Sequence, residues 1–188
     1  MLCVSALALC VTGVGCGSTT PLPIDAHAQW VTRTLDDRQV TLSVPSDWNV
    51  GEAWAEPSSF NDLTGSFSNQ SLSPPCSSGP STLSCGPPLT SLQSGAELVE
   101  VFQSGFPGWT LDSQAGTSTT VSGLAAKLEV QTGPHSDCAS LGADRTRSLL
   151  VASPTAVGNY FDIEICSRGV PDSVGARIDE SVRITPIR

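Results

Sequence analysis

The strongest constraint on this chain lies in residues 158–169. Phe161, Ile163 and Ile165 alternate with Tyr160, Asp162, Glu164 and Cys166. A period of two in a run rich in β-branched and aromatic types is the pattern of a strand with one buried face. Pro171 and Asp172 then open a helix, and Val174, Ile178 and Val182 recur along one side of it. A strand feeding a helix that folds back over its sheet is therefore expected at the centre of the molecule.

Other segments supply partners for that strand. Val40, Leu42 and Val44 alternate with Thr41 and Ser43, and Pro45 to Trp48 end the run. Asp36-Asp37-Arg38 stands between two short extended runs and predicts a hairpin. Strands are also predicted over residues 97–102, 117–121, 126–130 and 145–152, with an extended run starting at Trp109. Residues 133–144 are expected to be a loop. Pro-Pro, Gly-Pro and Asn-Asp punctuation fills residues 57–95, which read as a Ser/Pro/Gly-rich insertion without regular elements. The expected fold class is α+β: an antiparallel β-sheet covered by a C-terminal helix, in a single domain over residues 30–188.

Charge narrows the partners. Charged residues make up 14% of the 188, the formal net charge is −9, and Lys127 is the single lysine. None of the first 24 residues is charged, so the whole imbalance falls on the later part of the chain. An acidic chain without a basic cluster argues against nucleic acid and against electrostatic attachment to a membrane.

Residues 1–15 are apolar or small throughout. They are too few to cross a hydrocarbon core of about 30 Å as a helix, but they suit the apolar core of a secretory signal. Gly13-Val14-Gly15-Cys16 follows. It resembles the lipobox of bacterial lipoproteins, departing from it at Gly13, where a larger aliphatic is usual. Cys10 fits less well because Leu9 precedes it. The resemblance implies a diacylglyceryl thioether on Cys16, with residues 16–29 as a polar, Pro-containing tether. Two or three acyl chains anchor firmly at roughly 0.8 kcal/mol per buried methylene. The expected location is the outer face of the bacterial cell membrane, the alternative being secretion after ordinary cleavage. Such signals carry a cation near their start and none stands near Met1, so the true translation start is expected a few codons upstream.

Seven cysteines are present. On the reading above Cys3 and Cys10 leave with the leader, and Cys16 would be acylated. The remaining Cys76, Cys85, Cys138 and Cys166 form an even set in an oxidising compartment, which reads as two disulfides with three possible connectivities. The favoured one joins Cys76 to Cys85 as a local staple and Cys138 to Cys166. In the loop-entropy account these closures contribute roughly 2.5–3 and 3.5 kcal/mol. The absence of any C-x-x-C pair argues against structural zinc.

Three pieces together resemble the PsbP-like fold used by exported lipoproteins of the LpqN kind. These are the strand ending in Pro45-Ser46-Asp47-Trp48, the antiparallel run from Glu97 to Cys166, and the terminal helix ending in Ser181-Val182-Arg183-Ile184. The resemblance implies a small α/β sandwich that binds something. It implies no catalytic set.

Motifs for catalysis are scarce. There is no G-x-S-x-G elbow, no H-E-x-x-H and no phosphate-binding loop. His27 falls in the tether, so a secreted hydrolase, the alternative function, would have to use His135. Asp162 and Glu164 share one strand face about 7 Å apart, where acid–base chemistry or calcium is conceivable, but pairing with Arg145 or Arg147 of the preceding strand is expected instead. Trp48 and Trp109 are expected in the core. Trp54 and Phe60, in polar surroundings, are the candidate ligand-binding residues. No cofactor and no metal are expected. The expected function is a non-catalytic binding or interaction module whose ligand is an unknown protein or an apolar molecule.

Overall fold

In the computed structural model the described residues are 29–35, 39–53, 61–74, 76–78, 83–85, 88–134, 136–153 and 159–185. Residues 1–15, expected as a leader, Cys16, and all of the expected tether at 16–29 except Gln29 lie outside them. The strands are β1 (Trp30–Leu35), β2 (Val40–Pro45), β3 (Asn49–Gly51), β4 (Asn61–Ser68), β5 (Cys76–Ser78), β6 (Leu83–Cys85), β7 (Ala96–Gly105), β8 (Thr117–Val121), β9 (Leu124–Thr132), β10 (Arg145–Ala152), β11 (Asn159–Arg168) and β12 (Arg183–Ile184). The α-helix among the described residues is α1 (Asp172–Ser181). The fold is α+β: mostly antiparallel sheet with one short C-terminal helix.

The strand singled out by its alternation is β11, and it lies in the middle of a seven-stranded sheet ordered β3-β4-β7-β11-β10-β9-β8. Ile163 sits opposite Val101 of β7 and Leu149 of β10. These side chains share the inner face with Phe161, Ile165, Val99, Val151 and Ala126, in one buried cluster. A second, three-stranded sheet ordered β1-β2-β12 and helix α1 cover that face. Val40, Leu42 and Val44 of β2 and Ile178 of α1 are at most 1% exposed. The helix stripe is the expected one: Ile178 and Val182 are buried and Val174 packs against them. The cover is nevertheless broader than the expected helix alone, because β1 and β2 join it as a hairpin pairing Leu35 with Val40. The turn residues 36–38 lie outside the described residues.

Helix α1 docks closely because Gly175 lets it. A Cβ at Gly175 would lie 2.8 Å from Cδ of Arg147. At the other end of the helix, the Ser43 N–H donates to Ser181 Oγ at 2.7 Å. Arg177 lies 4.0 Å over the ring of Trp30, a cation–π contact tying α1 to β1.

Residues 57–95 differ from the expected structureless insertion. They include β4, which pairs with β7 inside the large sheet. A bulge between Leu63 and Gly65 shifts the register there and breaks the alternation that would reveal a strand. The later part of the segment folds onto the outer face, where Leu89, Leu92, Ala96, Leu98, Cys138, Ala143 and Cys166 make a second buried cluster. Side chains hold it to backbone. Asn69 donates to the Gly95 carbonyl at 2.8 Å and accepts from the Glu97 N–H at 2.9 Å, and Arg168 donates to the Leu92 carbonyl at 2.7 Å. Two 3-10 turns are present: Leu111–Ser113, where an extended run was expected, and Asp137–Leu141 within the expected loop 133–144.

Cys138 is bonded to Cys166, with Cα atoms 5.6 Å apart. Cys76 and Cys85 are Cα partners in the β5–β6 ribbon; their side chains lie outside the described residues.

Two outcomes follow from the packing. Ile163→Ala empties the centre of the inner face and should cost about 2–5 kcal/mol in urea unfolding. Replacing Cys138 and Cys166 by serine together should lower stability by about 3.5 kcal/mol, with the far-ultraviolet circular dichroism of the native sheet retained.

Candidate functional site

The outer face of the large sheet carries the polar half of the β11 alternation. Cross-strand pairing lines up Glu129 of β9, Ser148 of β10, Glu164 of β11, Glu100 of β7 and Ser66 of β4 in one row. Asp162 stands one position along β11 on the same face, and Ser148 Oγ donates to its Oδ1 at 3.0 Å. The second buried cluster closes one side of this row. On the other side Trp109 stacks on Tyr160, with ring centroids 4.2 Å apart and planes 12° from parallel. Trp109 is thus half-buried on the outer face, against the expectation of a core tryptophan, whereas Trp48 is in the core as expected.

The row is acidic without a matching cation. Glu100 is 7% exposed, and its carboxylate has no hydrogen bond and no ion pair among the described residues. Burial pushes its carboxyl up to about 7, and the neighbouring Asp162 charge adds to the rise. Burial likewise raises Glu164 to about 7, with Asp162, Glu100 and Asp137 contributing. Asp162 is raised to about 6 by burial, against the opposing Ser148 hydrogen bond. Lys127 projects from the same face but donates to the carbonyls of Asp112 and Gln114.

The expected arginine partners are on the other side of the sheet. Arg147 pairs in register with Ile165, and Arg145 with Ser167, so both face inward. There Arg147 Nε donates to Asp179 Oδ2 at 2.7 Å and its Nη1 to Asp172 Oδ1 at 2.9 Å, while Arg145 Nε lies 3.5 Å from Asp172 Oδ1. The arginines fasten α1 to β10 and leave Asp162 and Glu164 without them. Glu97 is packed into the same inner region, fully buried, and neither of its carboxyl oxygens has a hydrogen-bond partner. Burial pushes Glu97 up to about 8, with Asp179 adding to the rise and Ser167, Arg145 and Arg147 opposing it. Asp179 is raised to about 6 by burial, against its bond to Arg147.

Donor atoms of Cys138, Cys166 and Glu164 lie within 4.8 Å of one another. Both sulfurs are spent in the disulfide, so the group supplies one carboxylate and no thiolate to a metal. The 3.7 Å approach of Glu164 Oε1 to Cys166 Sγ is a contact rather than a hydrogen bond, because a disulfide sulfur carries no proton.

Of the residues nominated from sequence, Cys16, Trp54, Phe60 and His135 lie outside the described residues. Asp162 and Glu164 do share a face, and the structure adds Glu100 from β7 beside them. Glu100 was overlooked because one carboxylate in the run Glu97-Leu-Val-Glu-Val-Phe looks like an ordinary exposed strand position. The available signal was the conflict between two glutamates three apart in an otherwise apolar strand. Period two puts them on opposite faces, so a strand covered on both sides must bury both.

The carboxyls set a pH dependence opposite to that of salt-bridged acids. Glu97, Glu100, Asp162, Glu164 and Asp179 all hold protons more tightly folded than unfolded. Their stabilising contribution is complete below the unfolded carboxyl range and is lost as pH rises through about 6 to 8. The melting temperature should therefore be higher near pH 5 than near pH 8, and Glu100→Gln should flatten that slope. A slope of the opposite sign over this window would contradict the burial of these groups.

No protein-family model matches the chain, and no curated protein matches it.

Proposed function

We propose that this protein is a non-catalytic interaction module, held at the outer face of the bacterial cell membrane by acyl chains on Cys16, which binds a basic segment of a partner protein. The single observation that carries the binding reading is Glu100. A carboxylate that is 7% exposed, flanked by Asp162 and Glu164 and lacking any cation among the described residues, weakens the fold at neutral pH. Perturbed groups of this kind concentrate at functional sites. An arginine or lysine side chain laid along the row would supply the missing charge. The Trp109–Tyr160 pair beside it offers an aromatic surface to the same side chain.

The spacing favours a side chain over a bare ion. Glu100, Asp162 and Glu164 sit on two adjacent strands and face a planar guanidinium more readily than a compact metal. The lipobox supports the tether, and the PsbP-like resemblance supports a sandwich in which one large sheet is backed by a helix and a small sheet. In this arrangement the backed face is structural and the opposite face meets the partner.

Calorimetry of the mature protein with a short arginine-rich peptide tests the reading. Binding should weaken with salt, be absent for a glutamate-rich peptide, and fall roughly tenfold for Glu100→Gln combined with Glu164→Gln. Equal binding by that double variant would sink the acidic-face reading. The anchor has its own arm: Cys16→Ser should move the protein from the detergent phase to the aqueous phase, and unchanged partition would sink the lipidation.

A further inference from the structure

Glu97 is a buried acid on the helix side of the sheet, away from the outer face. Its side chain is fully enclosed, and neither carboxyl oxygen has a hydrogen-bond partner among the described residues. The backbone holds it there: the Glu97 N–H donates to Asn69 Oδ1 at 2.9 Å, and its carbonyl accepts from Ser68 Oγ at 2.6 Å. Helix α1 closes the space above the carboxyl. A Cβ at Gly175 would lie 3.6 Å from Glu97 Oε1, so the acid rests against bare helix backbone.

The charges around it balance without it. Arg145 and Arg147 come from β10, and Asp172 and Asp179 from α1. Asp172 lies 3.5 Å from Arg145 and 2.9 Å from Arg147, and Asp179 lies 2.7 Å from Arg147. Ser167 of β11, opposite Glu97 in register, brings no charge. Two cations and two anions leave nothing to neutralise a third anion. With Glu97 neutral the helix–sheet interface is electrically even. With Glu97 ionised it encloses an excess negative charge, which is costly in a buried site.

We propose that Glu97 is a proton latch for α1: the helix is seated on the sheet while this carboxyl carries its proton, and it is released as the carboxyl ionises, with the seven-stranded sheet left folded. The helix is lightly held. Its buried residues are Gly175, Ile178 and Asp179, and its first turn has no side-chain cap. Ten residues are too few to keep a helix in water unaided, so a released α1 frays. The sheet has other supports. β11 pairs with β7 along ten residues and with β10 along eight, β2 covers the centre of the inner face, and the disulfide lies on the outer face.

Burial raises Glu97 to about 8, and in a released state the carboxyl returns to the ordinary range. Seating by the neutral acid is therefore complete below that range and is lost as pH rises through about 8. Asp179, which faces Arg147, Asp172 and Glu180, is raised to about 6, so above that pH the dependence belongs to Glu97.

The test is amide hydrogen exchange of the mature protein between pH 6 and pH 8, corrected for intrinsic rates. Protection of residues 176–181 should fall about tenfold per pH unit, the signature of one proton, and at pH 8 should lie well below that of β11. Glu97→Gln should make α1 protection flat with pH, whereas Glu100→Gln, on the other side of the sheet, should leave its slope in place. Protection of α1 that does not change with pH, that equals protection of β11 at pH 8, or that keeps its slope in Glu97→Gln would each overturn the latch. A second measurement needs no variant: the carboxyl carbon of Glu97 and the methyl groups of Ile178 should titrate together near pH 8 by nuclear magnetic resonance. An ordinary carboxylate midpoint for Glu97, or an Ile178 signal indifferent to it, would equally overturn the latch. Peptide binding on the outer face enters neither readout, so the two proposals fail separately.

Discussion

The structure depends on β11 being covered on both faces by different chemistries. Its inward residues Phe161, Ile163 and Ile165 are fully buried against β2 and α1. Its outward residues meet a disulfide-linked apolar cluster at Cys166 and an aromatic stack at Tyr160, with Glu164 and Asp162 between. A central strand in a two-layer protein normally exposes its polar face to water. Here Leu72, Leu89 and Leu92 and the 105–116 loop encroach on that face from both sides. The carboxylates keep too little water to ionise easily, and this is the physical origin of the candidate site.

Arg147 performs a related role on the inner side. It is buried, and it reaches both Asp172 and Asp179, so it sets the helix against β10 at two points along its length. Buried pairs of this kind recover little net stability after desolvation. Their geometry is more restrictive than that of apolar contact, and Gly175 completes it by letting the helix approach the arginine stem. Holding Asp179 in this way presents one of its oxygens to Arg147 and leaves the other buried without a hydrogen-bond partner.

How much of this was legible varied with the regularity of the local pattern. β11, α1 and β2 were readable because each keeps a clean period and buries one face. β4 was not. Its bulge displaces the alternation after Leu63, and Gly65 and Ser66 fill positions where an apolar residue would have marked a strand. The pairing expected between Asp162 or Glu164 and Arg145 or Arg147 failed for a parity reason. The residues lie on neighbouring strands, but register puts Arg147 opposite Ile165 and Ser148 opposite Glu164. A shift of one residue would have made the expected pairs.

The sequence by itself determined the strand–helix heart, the α+β class, the acidity of the chain and the cysteines available for pairing, because these follow from local periodicity and composition. Only the tertiary structure decided that Glu100 joins Asp162 and Glu164, that Arg147 belongs to α1, and that Asp179 is buried against Arg147. Each of these joins residues distant in the chain, through a register set by the whole sheet. Local pattern fixes which face a residue occupies within its own strand, whereas the charge that faces it is chosen by the strand or helix packed alongside.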